Sequence, residues 1–140
     1  MGIILDTSAV VELERKGRSL ESFLPDEVTD LYLPTLVLAE LWIGIELASN
    51  DGTRQLRRGK VLALMAGTTP IPFDEELAPT YAKLYAALRA KGIQIPSNDL
   101  AIAATALHHG HEVLVGSCDE AHFRSVPGLK VRVLAAPTGS

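Results

Sequence analysis

Four carboxylates stand where an α/β chain would gather its chemistry: Asp6, Glu40, Asp99 and Asp119. Asp6 ends the apolar run Ile3-Ile4-Leu5 and opens directly onto Thr7-Ser8. A carboxylate leaving a buried strand lies in the crevice beyond the strand's carboxyl end, where open α/β sheets bind ligands. Asp119 comes shortly after a second apolar run, Val113-Leu114-Val115, and Asp99 follows Pro96-Ser97-Asn98 at a helix start. Glu40 lies inside an apolar helix. Acids converging on one crevice repel one another unless a divalent cation holds them together. Oxygen donors with no cysteine among them favour Mg²⁺ or Mn²⁺ over zinc. Two ions about 4 Å apart clamp both sides of an in-line phosphodiester displacement, whereas one ion leaves some acids to orient the attacking water. Both arrangements suit this spacing, and both are metal-dependent phosphate chemistry.

Each acid also has a purely structural explanation. From Leu36 to Ile45 every residue except Glu40 is apolar, aromatic or glycine. An unpaired buried carboxylate is costly or becomes neutral, so Glu40 either serves a site, reaches the helix rim or pairs with a buried Arg. Its neighbours Val37 and Gly44 leave a narrow stripe suited to a groove floor that a phosphate backbone approaches closely. Asp6 could cap the next helix, but Thr7 and Ser8 can do that and leave Asp6 free to ligate. Asp99 is favoured in a first helical turn by the helix dipole alone. Asp119 could be an ordinary cap, with Glu120 a rival for the same role.

The elements that must position these acids follow an α/β rhythm of short apolar strands and longer helical patterns. Strands are expected at 3–5, 31–33, 69–72, 113–116 and 130–134. Thr69-Pro70-Ile71-Pro72 belongs at a sheet edge, because proline donates no ladder hydrogen bond. Helices are expected over 8–15, 19–24, 35–48 with Thr35 as cap, 53–65, from Leu77 to a close at Gly92, and over 98–109. Leu77, Tyr81, Leu84, Tyr85 and Leu88 mark one apolar face. The small-residue helix Ala101-Ile102-Ala103-Ala104-Thr105-Ala106 would pack tightly on the sheet, with Gly110 as its left-handed cap. His122 and Phe123 belong to a short helix or turn after Asp119. The chain reads as one domain over 1–135 with a frayed tail at 136–140, without repeats or linkers.

Composition narrows the partners. Lys and Arg number 13 against 17 Asp and Glu, for a net charge of −4, so general electrostatic affinity for nucleic acid is not available. Local patches must serve instead. Arg54, Arg57 and Arg58 share a helical face at i, i+3 and i+4, and Arg15, Lys16 and Arg18 form another cluster; both are either solvated surface or candidate RNA contacts. His108, His109 and His111 suit a helix C-terminus without any metal. There is no Gly-rich phosphate loop and no nucleophile elbow. The single Cys118 reads as a small buried thiol, cannot form an intrachain disulfide and fits a reducing cytoplasm. No apolar run reaches bilayer length, and the N-terminus lacks a signal-peptide pattern.

With these positions in hand, the chain resembles PIN-domain proteins, in particular VapC toxins of bacterial toxin–antitoxin pairs. The resemblance rests on Ile4-Leu5-Asp6-Thr7-Ser8, Leu38-Ala39-Glu40-Leu41-Trp42-Ile43-Gly44, Asn98-Asp99-Leu100-Ala101-Ile102-Ala103-Ala104-Thr105-Ala106 and Leu114-Val115-Gly116-Ser117-Cys118-Asp119. The segment from His122-Phe123-Arg124 through Pro127-Gly128-Leu129-Lys130-Val131 has the family's closing form. The resemblance implies a five-stranded parallel sheet flanked by helices. It further implies an endoribonuclease whose Mg²⁺ or Mn²⁺ is held by Asp6, Glu40, Asp99 and Asp119, with Thr7 or Ser8 supporting the pocket. Structured RNA, often transfer RNA, would be the substrate. A homodimer is implied, and so is a cognate antitoxin protein that inserts a segment into the acidic groove. Ser117 stands where the family usually has Thr, which keeps the hydroxyl.

Two other classes are compatible with an acidic pocket on a domain of this size. A phospho-accepting receiver domain would want paired acids after the first strand and a lysine after the last. A PIN-like fold kept as a metal-free binding module would need none of the acids.

Overall fold

The computed structural model describes residues 2–20 and 30–134. The expected helix at 19–24 and the tail at 136–140 lie largely or wholly outside the described residues. Among the described residues five strands are connected by single helices or helix pairs, six helices in all: β1 (Gly2–Leu5), α1 (Thr7–Lys16), β2 (Asp30–Pro34), α2 (Thr35–Glu46), α3 (Asp51–Ala66), β3 (Thr69–Ile71), α4 (Ala78–Ala90), α5 (Ser97–His109), β4 (Glu112–Val115), α6 (Glu120–Arg124) and β5 (Val131–Val133).

The sheet has the order β3-β2-β1-β4-β5 with every pairing parallel. Ile4 lies opposite Tyr32 of β2 on one side and Val113 of β4 on the other. A central strand of a parallel sheet is covered on both faces and must be apolar throughout. Accordingly Ile3, Ile4 and Leu5 are completely buried, and Val113, Leu114 and Val115 nearly so. Pro70 sits on β3 at the sheet edge, as its missing N–H requires.

The chain winds outward from β1 to β2 and β3, then crosses back to lay β4 against β1. The carboxyl ends of β1 and β4 therefore flank the topological switch point, where diverging connections leave a crevice. The helix α5 closes the core beside it. Every residue from Asp99 to Ala106 is buried, because alanines at 101, 103, 104 and 106 let the backbone approach its neighbours. Gly110 ends this helix in the left-handed conformation, φ 72°.

Several local expectations need correction. Thr35 is the first residue of α2 and not its cap; Pro34 holds the cap position and no side chain bonds there. Asn50 starts α3 by accepting the Thr53 amide at 2.8 Å, so Asn50-Asp51-Gly52 both stops one helix and begins the next. On α4, Leu84 and Leu88 are buried but Tyr85 is 47% exposed. The helix α2 buries only Val37 and Ile45 and leaves Ile43 exposed. An apolar run need not be an interior one.

Candidate active site

Asp6 follows β1 as the N-cap of α1, so the structure gives that job to Asp6 itself and not to Thr7 or Ser8. Its Oδ2 accepts the Ser8 amide at 3.1 Å and also the Ser8 hydroxyl. The Ser8 Oγ in turn accepts the Gly116 amide at 2.9 Å. One side chain thus connects the exits of β1 and β4. Thr7 does not join this network: its Oγ1 is buried without a hydrogen-bond partner among the described residues.

Asp99 lies in the first turn of α5, with its side chain only 12% exposed. Pro96 occupies the cap position without a side-chain bond, so Asp99 does not serve as the cap. Its Oδ2 instead accepts from His122 Nδ1 at 2.7 Å. Asp119 precedes α6 at the cap position but makes no capping bond. Its Oδ1 lies 3.9 Å from the same His122 nitrogen. The rival Glu120 is otherwise engaged, with Oε2 accepting Arg124 Nε at 2.9 Å. Glu40 is half-buried, and its Oε1 accepts Asn98 Nδ2 at 3.1 Å.

The four acids influence one another. Burial raises the Asp6 carboxyl to about 7, opposed by the two Ser8 hydrogen bonds and assisted by the charges of Asp99 and Asp119. Asp99 is also raised, by burial first; the His122 hydrogen bond works against it, while Asp119 and Glu40 add repulsion. Burial and the Asp119 charge push the Cys118 thiol up, although Cys118 is exposed, contrary to the buried thiol expected. A cation placed among these groups would offset both the burial and the mutual repulsion that raise Asp6 and Asp99. Ligand atoms of Asp99, Asp119 and His122 lie within 4.8 Å of one another. An oxygen-dominated, self-repelling donor set of this kind fits a hard divalent ion.

Ser117 has turned away from the acids. Its Oγ donates to Glu12 Oε1 at 2.8 Å and ties the loop after β4 to α1. The basic face of α3 is likewise engaged. Arg54 pairs with Asp51 and donates to the Ala48 carbonyl at 3.1 Å; Arg57 donates to the Gly44 carbonyl at 2.7 Å. Arg58 lies 5.7 Å from the centre of the Trp42 ring. Two of these arginines fasten α3 to the end of α2. Glu40 and Gly44 also line a groove of about 840 Å³ whose walls carry Arg15, Arg18, Arg57 and Lys60.

Sequence reasoning did not single out His122, Asn98 or Glu12. A usable signal existed for each: His122 is one helical turn from Asp119, Asn98 adjoins Asp99, and Glu12 is one turn beyond Ser8.

A parallel sheet carrying a carboxylate crevice at its switch point defines a class of α/β proteins in which acids from distant segments build one site. The order observed differs from the 2-1-3-4-5 order of receiver domains, and Lys130 precedes β5; that alternative is not favoured. The chain belongs to the PIN-domain family, whose profile matches residues 3–129. It is 31% identical to Ribonuclease VapC1 of Rickettsia felis over 136 residues, 97% of this chain and 98% of the relative. Its fold is similar to that of VapBC2 from Rickettsia felis bound to a promoter DNA fragment, with TM-score 0.82 and 23% identity, covering 96% of this chain and 100% of that one. It is also similar to VapBC-5 of Mycobacterium tuberculosis, a member of the VapBC family of toxin–antitoxin systems. There the TM-score is 0.74 at 25% identity, over 96% of this chain and 98% of the other.

Proposed function

We propose that this chain is a VapC-type toxin: a divalent-metal-dependent endoribonuclease that cleaves structured RNA, transfer RNA included, and is neutralised by a cognate antitoxin protein. The observation that carries the reading is the meeting of Asp6, Asp99, Asp119 and Glu40 at one crevice, where each is near enough to perturb another. The ribonuclease named among the relatives, aligned over nearly the whole chain, supports RNA as substrate.

Asp6, Asp99, Asp119 and Glu40 would hold Mg²⁺ or Mn²⁺, with Ser8 fixing Asp6 and Asn98 fixing Glu40. When bound, the ion supplies Lewis acidity and lowers the pKa of the attacking water. Asp6 is buried and doubly hydrogen-bonded, so it would be the immobile ligand. Asp119 and Glu40 are the more accessible acids and orient the water. The water oxygen adds to phosphorus as the bond to the leaving ribose oxygen breaks. A carboxylate takes the water's proton, and the leaving oxygen is protonated from solvent.

Among the candidate RNA contacts Arg54, Arg57 and Arg58, we assign the direct role to exposed Arg58; the other two hold α3 in place. The antitoxin would cover apolar side chains left exposed on the α2–α3 pair, Leu47 at 78% and Leu56 at 60%. An Arg from its inserted segment would pair with the acids and exclude the metal. We also infer a homodimer acting in the cytoplasm; no described helix is long and apolar enough to cross a membrane.

The test is cleavage of a transfer RNA and total RNA panel by antitoxin-free protein, with Mg²⁺ or Mn²⁺, with chelator, and with Asp6→Asn. Discrete fragments that require both metal and Asp6 are expected. Intact RNA in every lane would favour the metal-free binding module.

A further inference from the structure

One side chain outside the acid quartet reaches two of its members. His122 Nδ1 donates to Asp99 Oδ2 at 2.7 Å and lies 3.9 Å from Asp119 Oδ1. An ionised carboxylate only accepts, so with Asp99 in the charged form that a metal requires, Nδ1 carries the proton in this contact. The carboxyl torsion of an aspartate is broad and roughly two-fold. Repulsion from Asp119 and Glu40 acts on Asp99 and would swing it out of the crevice. A fixed donor on one oxygen opposes that rotation and leaves the other oxygen available. His122 is suited to be fixed: it adjoins Phe123, which is completely buried, on a helix of five residues braced by Glu120 and Arg124.

We propose that His122 is a positioning residue for the metal site: its Nδ1–H orients Asp99 for the ion while the imidazole itself stays outside the ligand set. The inference rests on the metal-dependent reading above. It differs from simple cohesion between α5 and α6, because a structural contact would support folding without governing how tightly a cation binds. Donation by Nδ1 leaves Nε2 as the imidazole's only possible ligand atom, and hard cations prefer the carboxylate oxygens of Asp99 and Asp119 beside it.

The test is Mn²⁺ titration by calorimetry of the full chain, comparing wild type with His122→Ala and His122→Asn. The asparagine amide can place an N–H close to the Nδ1 position. Loss of an outer hydrogen-bond partner typically weakens metal affinity by about 10–100-fold, which is the loss expected for His122→Ala. His122→Asn should recover most of it, and thermal unfolding in chelator should be nearly the same for all three. Unchanged affinity in His122→Ala would overturn the proposal, as would failure of His122→Asn to rescue. If His122→Ala does not fold, wild type decides through the histidine nitrogens. Pulsed electron paramagnetic resonance of the Mn²⁺ complex should show no directly bonded imidazole nitrogen, and a bonded nitrogen would make His122 a ligand. Absence of any Mn²⁺ binding by wild type would instead sink the metal-dependent reading itself, and this inference with it.

Discussion

The Ser8 hydroxyl accepts the Gly116 amide across 108 residues of chain, at 2.9 Å. The two strands that flank the crevice are joined there by a side chain as well as by their ladder. The contact is close on the backbone too: a Cβ on Gly116 would meet the Ser8 carbonyl oxygen at 2.6 Å. Neither atom can yield without moving the loop that carries Asp119. Gly116→Ala should therefore destabilise the fold by roughly 1–3 kcal/mol, as overpacking does, and weaken metal binding with it. Chemical denaturation alongside Mn²⁺ calorimetry checks both effects.

Ser8→Ala removes the hydroxyl bond to Asp6 and the acceptor for Gly116, while the backbone amide at position 8 still donates to Asp6. A buried amide left without a partner costs about 1–3 kcal/mol, and that loss should appear in urea denaturation. Ser8→Thr keeps the hydroxyl and should behave closer to wild type.

The buried Asp6 carboxyl makes stability depend on pH in a defined direction. Its value in the fold, about 7, lies above the ordinary 3.8. Between those limits the folded chain holds a proton that the unfolded chain has released. Stability from this group is complete below the lower value, falls as pH rises and is lost above the upper one. The loss is on the order of 4 kcal/mol at about 1.4 kcal/mol per unit. Denaturation of metal-free protein across this range should show the decline. Asp6→Asn, whose amide oxygen still accepts from Ser8, should flatten it and match or exceed wild-type stability above neutrality.

Metal should reverse the same penalty. At pH above 7, Mn²⁺ at a hundred times its dissociation constant stabilises by about 2.7 kcal/mol through mass action. The unfolding midpoint of wild type should rise accordingly, and that of Asp6→Asn should not. An equal rise in both would remove Asp6 from the ligand set.

On the basic helix, Arg57→Ala should cost about 1 kcal/mol of stability, because its guanidinium bonds a backbone carbonyl of α2. Arg58→Glu should spare stability and lower RNA affinity. If Arg58 meets a phosphate, the log–log salt slope should shrink by about 0.7–0.9. An identical slope would return Arg58 to solvated surface.

Much of this arrangement could be read from the chain, and the reasons are local. Ile3-Ile4-Leu5 and Val113-Leu114-Val115 are uniform apolar runs of the kind that only a strand covered on both faces requires. Pro70 announced the sheet edge because a missing donor has the same meaning in any context. The acids were recognisable because they interrupt or end such runs. What could not be read depends on which residues meet across the fold. Asn98 and His122 acquire their roles from Glu40 and Asp99, at separations of 58 and 23 residues. The apolar run of α2 did not reveal which of its residues are covered: Ile43, and Leu47 just past its end, face outward, because hydropathy does not distinguish a core from an exposed apolar surface. Arg54 and Arg57 looked like a nucleic-acid face because their carbonyl acceptors lie on the neighbouring helix.

Placing β1 between β2 and β4 has a consequence for biosynthesis. The strand β1 is made well before its second neighbour, which begins 110 residues later, at Glu112. At about 5–20 residues per second, that gap corresponds to roughly ten seconds during which Asp6 exists without Asp119 beside it. A chain elongated only as far as α5 cannot assemble the crevice, which forms once β4 and the loop carrying Asp119 have been made. Under the proposed function, an antitoxin already present at that moment would meet each molecule as it becomes able to cut.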